Sequence, residues 1–262
     1  MLAYPSIRPY LIKLGPVQIR WYGLMYLIGF VSSFYLVRYQ LKRRRISLQS
    51  EDLENLYLFT VIGLIVGARL GYALFYNLDY YLGDPLEAFA VWHGGMSFHG
   101  GMIGAITGGF IFCRLKKIDF LMLCDMISVT VPIGLGLGRL GNFINAELFG
   151  RVTDVPWAMV FPGGGPLPRH PSQLYEFFLE GVVLFSIMWI TKDRLGTRRG
   201  ALTSTFIALY GVFRVAVEFF REPDPQLGML AGVITMGQLL SSLMILAGTA
   251  GLTISLKARA RV

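Results

Sequence analysis

The sequence has few charged residues and few histidines, and both shortages exclude classes of protein. Only 15% of the 262 residues are charged while 54% are hydrophobic, and an average soluble domain carries about 25% charged residues. This composition excludes a disordered tail or a coiled coil and argues against a water-soluble globule. The three histidines include no pair at four-residue spacing and no acidic cluster accompanies them, so we predict no metal site.

Common catalytic motifs are also missing. There is no phosphate-binding P-loop, the run Gly95–His99 lacks the second glycine of a nucleophile elbow, and no repeated aspartate pattern suggests a metal-dependent phosphatidyl transferase. The only cysteines, Cys113 and Cys124, fall near predicted cytoplasmic helix ends, where a disulfide is disfavoured. The protein is therefore predicted to supply no nucleophile, so that a second substrate brings the attacking atom.

Long apolar runs dominate the sequence instead. Seven of them approach or exceed the roughly 20 residues that cross a hydrocarbon core. They are Trp21–Leu41, Leu53–Tyr76, Met96–Arg114, Phe120–Leu140, Gln173–Thr191, Ala201–Phe220 and Val233–Leu256. The sequence predicts an all-α, polytopic membrane protein with about seven transmembrane helices, formed by a single domain over residues 1–262.

The positive charges predict how the chain is oriented. Fifteen of the 24 Lys and Arg residues follow segments one, three, five and seven. Under the positive-inside rule these loops are cytoplasmic, which places the N-terminus in the periplasm and the C-terminus in the cytoplasm. The net charge of +8 therefore reflects basic loops rather than nucleic-acid binding. Periplasmic loops are expected to form a small head, and Met1–Leu11 shows no features of a cleavable signal peptide.

Glycines recur every fourth residue in two neighbouring segments. Gly63, Gly67 and Gly71 form one such series, and Gly100, Gly104 and Gly108 form the other. This spacing places them on one helix face and predicts close backbone packing between membrane helices. Gly134, Gly136 and Gly138 have a different spacing, and we predict a loosened helix end where backbone meets a ligand.

Four arginines contradict the charge bias, because Arg69, Arg139, Arg214 and Arg221 lie within or at the outer ends of apolar segments. A basic residue at the centre of a spanning helix costs about 2.5–3.5 kcal/mol on insertion scales. Such residues are retained for a partner, a water-filled cavity or a function.

Segment six shows the pattern most clearly, because Tyr210, Arg214, Glu218 and Arg221 share one helical face. One carboxylate cannot neutralise two guanidiniums, so this face is predicted to keep a surplus positive charge that suits a phosphate. The plainer alternative is an ion pair of Glu218 that only neutralises the helix.

Two further polar clusters flank predicted outer helix ends. The run Gly138–Gly150 combines Arg139 with amides, a carboxylate and glycines, and the run His93–Gly101 reads HGGMSFHGG. His99 in the second run enters the membrane between glycines, and histidine exchanges a proton near neutral pH. This inventory predicts a protein that binds an anionic lipid headgroup at the outer leaflet.

Together these motifs resemble the prolipoprotein diacylglyceryl transferase family. The run Gly138–Gly150 matches the family pattern G-R-x-G-N-F-[aliphatic]-N-x-E-x-x-G at every fixed position. The HGGMSFHGG run and the segments Trp21–Tyr26, Arg169–Glu176, Tyr210–Arg214 and Glu218–Arg221 are also similar to that family. The resemblance covers nearly the whole chain.

The resemblance implies a multi-pass enzyme of the bacterial inner membrane that acts toward the periplasmic side without a cofactor. Such an enzyme moves the sn-1,2-diacylglyceryl group of phosphatidylglycerol to the lipobox cysteine of a preprolipoprotein signal peptide. A thioether forms and glycerol phosphate is released, in the first step of lipoprotein maturation. Its partners are these two substrates and membrane lipids, with no nucleic acid.

Roles for individual residues follow from the charge changes in that reaction. Arg139 and Arg214 are predicted to bind the departing phosphate, and His99 is predicted to act as general base, with orientation of the headgroup as the rival role. The remaining predicted binding residues are Tyr22 and Asn142 for the headgroup glycerol, Glu147 and Glu218 as orienters of arginines, Gly150 for a tight backbone, and Tyr210 and Arg221.

Two other functions stay open on the sequence alone. An anionic-lipid transporter or scramblase could use the arginine-bearing face as a headgroup path, although no repeat relates the two halves of the chain. A structural interaction protein could use the same polar residues only to lock helices together.

Overall fold

The computed structural model describes residues 2–5, 7–14, 17–91, 94–222, 229–230 and 233–258. The predicted polytopic, mostly helical membrane protein is confirmed. The chain divides into two compact units, Met1–Val37 with Leu121–Val262, and Arg38–Phe120. His93 of the HGGMSFHGG run lies outside the described residues.

The first unit holds most of the helices. Its elements are strands β1 (Tyr10–Leu14) and β2 (Val17–Arg20), most of helix α1 (Trp21–Arg43), α5 (Phe120–Ser128), α6 (Val131–Ile144), α7 (Ser172–Glu176), a π-helical segment (Phe177–Val183), α8 (Leu184–Leu195), α9 (Ala201–Glu218), strands β3 (Met229–Leu230) and β4 (Ile234–Thr235), and α10 (Met236–Lys257). The strands form two antiparallel two-stranded sheets, β1 with β2 and β3 with β4, which were not predicted from the sequence. A buried core of Val129, Leu184, Met188 and Leu202 joins α8 and α9.

The second unit is built on two long helices. It contains α2 (Ser50–Tyr76), α3 (Leu78–Gly83), a 3-10 helix (Pro85–Phe89) and α4 (Phe98–Lys116). The Ser97 hydroxyl caps α4 by accepting a hydrogen bond from Gly100 N at 3.3 Å, as serine commonly does at helix N-termini. At the other end of α4, Lys116 pairs with Asp52 at 2.8 Å.

Every predicted apolar segment corresponds to helix in the structure. Five helices are long and apolar enough to cross a membrane: α1, α2, the continuous span Ser172–Leu195, α9 and α10. A sixth candidate is the pair α5 and α6, which is bent by 46°. Among the described residues α4 is not a candidate by the same measures, so the count of seven crossings stays a prediction.

The predicted close packing at the glycine series is confirmed inside the second unit. A Cβ atom on Gly67 would lie 2.7 Å from Gly104 Cα, and one on Gly71 would lie 2.8 Å from Gly100 Cα. Real Cβ atoms do not approach other atoms so closely, so larger residues would push α2 and α4 apart. Small residues at such interfaces let membrane helices associate through their backbones.

The glycines of α6 have a different role from the predicted one. They lie inside the helix rather than at a loosened end, and two of them face other helices. A Cβ on Gly136 would lie 2.9 Å from Gly181 Cα, and one on Gly29 would lie 3.0 Å from Gly134 Cα. The prediction of a loosened helix end was therefore wrong, because these glycines let α1 and the π-helical segment approach α6.

The first unit also contains a small non-helical head after α6. Buried Phe143, Met159 and Phe161 form its centre, with Tyr4 and Phe149 packed against them. Short backbone bridges join Met159 and Val152 to Arg169. The Tyr4 hydroxyl donates to Phe143 O at 2.6 Å and thereby ties the N-terminal segment to the end of α6. The predicted head is present, and its periplasmic placement stays a prediction.

Candidate active site

The carboxylate of Glu176, at the end of α7, is the centre of the candidate site. Its side chain is fully buried. Arg139 Nε lies 2.9 Å from Oε2, while Nη1 of Arg214 and Nη1 of Arg221 lie 2.5 and 3.2 Å from Oε1. The three arginines come from α6, from α9 and from the segment after α9. Three chain segments therefore converge on one carboxylate.

Arg139 uses only part of its hydrogen-bonding capacity. Among the described residues, the ionic contacts of this side chain are made by Nε, to Glu176 and, at 3.8 Å, to Glu180. Its side chain is 19% exposed, whereas both glutamates are fully buried. A guanidinium carries five N–H donors in a planar fork that matches phosphate oxygens. The terminal N–H donors of Arg139 can therefore be offered to an anion.

Arg214 is held by two carboxylates. Besides Glu176, its Nη2 contacts Glu218 Oε2 at 2.9 Å, one helical turn further along α9. Glu218 also accepts a hydrogen bond from the Thr235 hydroxyl at 2.8 Å, and a Cβ on Gly237 would lie 2.6 Å from Glu218 Oε1. Glu218 thus contacts an arginine, the start of α10 is shaped around its carboxylate, and its role in orienting Arg214 stays a prediction.

Gly150 lies where the head meets the end of α9. Its N–H donates to His170 O at 2.8 Å, and the next residue, Arg151, donates its N–H to Phe220 O at 2.9 Å. A Cβ on Gly150 would lie 2.7 Å from the His170 Cβ, so the backbone is tightly packed here, and the part of Gly150 in substrate binding stays a prediction. Burial lowers the pKa of His170 below its ordinary value, which favours the neutral ring beside the Tyr175 hydroxyl at 3.0 Å.

The prediction that this face of α9 keeps a surplus positive charge was wrong when the formal charges of the neighbouring side chains are counted. It considered Glu218 alone, but the structure adds two carboxylates from the neighbouring span, Glu176 and Glu180. Three arginines, Arg139, Arg214 and Arg221, thus face three glutamates. We call these six side chains the arginine–glutamate cluster. A buried charge in a membrane protein requires such partners, because its desolvation is costly.

Glu147 does not orient an arginine, contrary to the prediction. Within the described residues its carboxylate accepts hydrogen bonds from Asn142 Nδ2 at 2.8 Å and from Asn145 Nδ2 at 3.2 Å. The chain turns sharply here, with left-handed φ values of 54° at Ala146 and 58° at Leu148. This turn directs the carboxylate to the amides. Non-glycine residues in this region cost about 1–3 kcal/mol each and concentrate at functional sites.

The two predicted tyrosines occupy different positions in the first unit. Tyr22, at the start of α1, packs its ring where a Cβ on Gly141 would lie only 2.8 Å away, and its hydroxyl lies 3.1 Å from that of Tyr26. Tyr210, on α9, stacks on Phe206 with ring centroids 6.0 Å apart. Tyr210 lies on the same helix as Arg214, and Tyr22 packs against α6, the helix that carries Arg139.

His99 and Arg69 belong to the second unit. His99 is exposed in the first turn of α4, with its ring 5.6 Å from that of Phe98. Arg69 is buried, and it donates hydrogen bonds to carbonyls of Glu87 at 2.6 Å, Ala88 at 3.0 Å and Gly95 at 3.3 Å. Arg69 therefore holds the segment that leads into α4, which explains this arginine without a ligand.

Sequence reasoning missed Glu176 and Glu180 as site residues. The signal was present, because two carboxylates inside an apolar segment at four-residue spacing share a helix face and mark a functional position. Among the described residues, no three His, Cys, Asp or Glu side chains form a group that could hold a metal. The site can therefore be described as largely buried guanidiniums and carboxylates, of which Arg139 is the most exposed, at 19%.

Comparison with known proteins places this chain among bacterial membrane transferases. Residues 9–254 match the family model described as prolipoprotein diacylglyceryl transferase. Phosphatidylglycerol–prolipoprotein diacylglyceryl transferases are similar to it over most of their length. The protein of Desulfotalea psychrophila is 55% identical, over 93% of this chain and 92% of its own length. That of Geobacter sulfurreducens is 56% identical, over 94% and 95%.

Proposed function

The chain belongs to the prolipoprotein diacylglyceryl transferase family, and we propose that it transfers the sn-1,2-diacylglyceryl group of phosphatidylglycerol to the lipobox cysteine of a preprolipoprotein. A thioether forms and glycerol phosphate is released. The observation that carries this proposal is the arginine–glutamate cluster, in which the ionic contacts of Arg139 to Glu176 and Glu180 run through Nε and its side chain keeps 19% of its surface exposed. The terminal N–H donors of this guanidinium suit the phosphate of an anionic lipid.

The chemistry requires charge to move from sulfur to phosphate. The cysteine thiol loses its proton, because the thiolate is the nucleophile. The sulfur then bonds to the glyceryl carbon that carries the phosphate, and the carbon–oxygen bond breaks with its electron pair leaving on the phosphate oxygen. Arg139 and Arg214 stabilise this growing negative charge. Such preorganised donors act most strongly where charge develops in a site that excludes water.

The other predicted residues keep supporting roles in this proposal. Tyr22 and Asn142 bind the headgroup glycerol, and Glu147 holds the Asn142 amide in place. Gly150 permits the close backbone packing at the end of α9, next to Arg221. Tyr210 lines the same side of α9 as Arg214 because the two are one helical turn apart.

We expect His99 to be the general base. The His99→Ala variant should lose activity at neutral pH and recover part of it at alkaline pH, because hydroxide then supplies the thiolate that the imidazole no longer forms. The measurement is the pH profile of kcat with a purified lipobox peptide. A loss that persists equally at all pH values would instead assign His99 to orienting the headgroup.

We place the head and the active site on the periplasmic side, since the basic loops predict a cytoplasmic location for the opposite ends of the membrane helices. In a background with both native cysteines replaced by serine, a cysteine at exposed Asp154 in the head should react with an impermeant maleimide in intact spheroplasts. A cysteine at exposed Thr197 between α8 and α9 should not. The reverse labelling would contradict this orientation.

The direct test of the function is a lipidation assay. Purified protein, phosphatidylglycerol with labelled acyl chains and a lipobox peptide should yield a labelled peptide whose bond resists hydroxylamine, as a thioether does. A matched peptide with serine in place of the cysteine should remain unlabelled. Transfer of label between membrane leaflets without labelled peptide would support a scramblase instead.

A further inference from the structure

Glu180 is the least satisfied member of the arginine–glutamate cluster. Its side chain is fully buried, and neither carboxylate oxygen has a hydrogen-bond partner among the described residues. Within the described residues, Glu180 Oε2 makes an ionic contact with Arg139 Nε at 3.8 Å. That nitrogen lies closer to Glu176, at 2.9 Å. If Glu180 were ionised, its contact with Arg139 would offset little of the free energy that its carboxylate loses on removal from water.

The fold places Glu180 there through an unusual local structure. It lies in the π-helical segment within the span Ser172–Leu195, and π-helical turns occur frequently at functional sites. The next residue, Gly181, packs against Gly136 so tightly that a Cβ on Gly181 would lie 2.8 Å from Gly136 Cα. This contact brings the carboxyl of Glu180 beside α6 and Arg139.

The charge of the cluster depends on the protonation of this one carboxyl. With all three glutamates ionised, the cluster is formally neutral, and a bound phosphodiester would leave one uncompensated negative charge in a poorly solvated site. With Glu180 protonated, the cluster carries one positive charge that matches the single negative charge of the phosphodiester. Opposite charges attract strongly where water is excluded.

We propose that Glu180 carries a proton whenever the lipid phosphodiester occupies the arginine–glutamate cluster, so that this carboxyl sets the charge that admits an anion. The inference rests on the proposed function, because it takes a phosphodiester lipid as the ligand. The proton comes from solvent and no covalent bond changes. Charged and titratable groups that act on Glu180 from the elements around it are Arg139 on α6, Glu176 on α7, Arg214 and Tyr210 on α9, and Arg221.

The test compares wild type with Glu180→Gln, a permanently neutral isostere, in nanodiscs of phosphatidylcholine titrated with phosphatidylglycerol. Infrared spectra of lipid-bound wild type in H2O minus those in D2O should show the C=O stretch of a protonated carboxylic acid, shifted downward in D2O, and lipid-bound Glu180→Gln should lack it. Wild-type affinity should fall about tenfold or more from mildly acidic to alkaline pH as Glu180 ionises beside the anion. Glu180→Gln should bind at all pH values as tightly as wild type does in acid.

A matched control is Glu222→Gln, because Glu222 is 46% exposed and pairs with Arg169 outside the cluster; it should keep both the band and the pH dependence. Absence of the band in lipid-bound wild type would overturn the inference, and this needs no variant to fold. The same pH dependence in Glu180→Gln as in wild type would also overturn it, while leaving the transferase proposal intact. Failure of wild type to bind phosphatidylglycerol at any pH would overturn the lipid site itself, and the inference with it.

Discussion

Replacing Arg139 with alanine is expected to lower kcat by about 10²–10³-fold, or about 2.7–4 kcal/mol of transition-state stabilisation. The reason is that Arg139 contacts Glu176 through Nε and can offer its terminal N–H donors to the charge that would grow on the departing phosphate. The effect should fall on kcat more than on KM, since the interaction strengthens in the transition state. Steady-state kinetics with phosphatidylglycerol and a lipobox peptide measure both constants.

Two further variants test whether the loss of kcat is specific to the guanidinium of Arg139. Arg139→Lys keeps the charge but loses the planar fork, so it should recover only part of the lost rate. Arg194→Ala removes an exposed arginine from the end of α8 and should leave kcat unchanged. Near-normal turnover of Arg139→Ala in folded protein would refute the leaving-group role.

Replacing Glu176 with glutamine is expected to lower kcat by about 10²-fold, because misplacing catalytic groups by about 1 Å costs that much. Glu176 is the common partner of Arg139, Arg214 and Arg221. A neutral amide cannot hold three guanidiniums through charge, so their positions should loosen. Breaking a buried ion pair also destabilises proteins by about 3–5 kcal/mol, so the midpoint of thermal unfolding in detergent should fall as well.

The matched comparison for Glu176→Gln is Glu222→Gln, which removes one charge from an exposed pair with Arg169. Exposed pairs contribute about 0–1 kcal/mol, so this variant should keep both its unfolding midpoint and its kcat. If Glu176→Gln behaved like Glu222→Gln in both measurements, Glu176 would not organise the site.

The helices could be predicted from the sequence because apolar length and basic loops are dictated by the bilayer. The starts of α1 at Trp21, α5 at Phe120 and α9 at Ala201 coincide with the predicted segment starts. The break between α5 and α6 has a local cause that hydropathy does not register. Pro132 lies in the first turn of α6, where proline cannot continue the hydrogen bonding of the preceding helix.

The partners of the site residues were harder to predict than the residues themselves. Arg139, Arg214 and Arg221 stand out in the sequence because charge is costly in a membrane. Their common acceptor Glu176 belongs to another span, and that pairing depends on helix packing. Glu147 was assigned to an arginine on charge alone, whereas the left-handed turn around it delivers its carboxylate to Asn142 and Asn145. Sequence patterns therefore identified which residues belong to the site better than they identified which residues contact one another.

The most direct test of the account is a cryo-electron microscopy structure of the protein bound to phosphatidylglycerol, with a non-reacting lipobox peptide whose cysteine is replaced by serine. We expect the lipid phosphate within hydrogen-bonding distance of the guanidiniums of Arg139 and Arg214. A bound phosphatidylglycerol whose phosphate contacts neither arginine would contradict it.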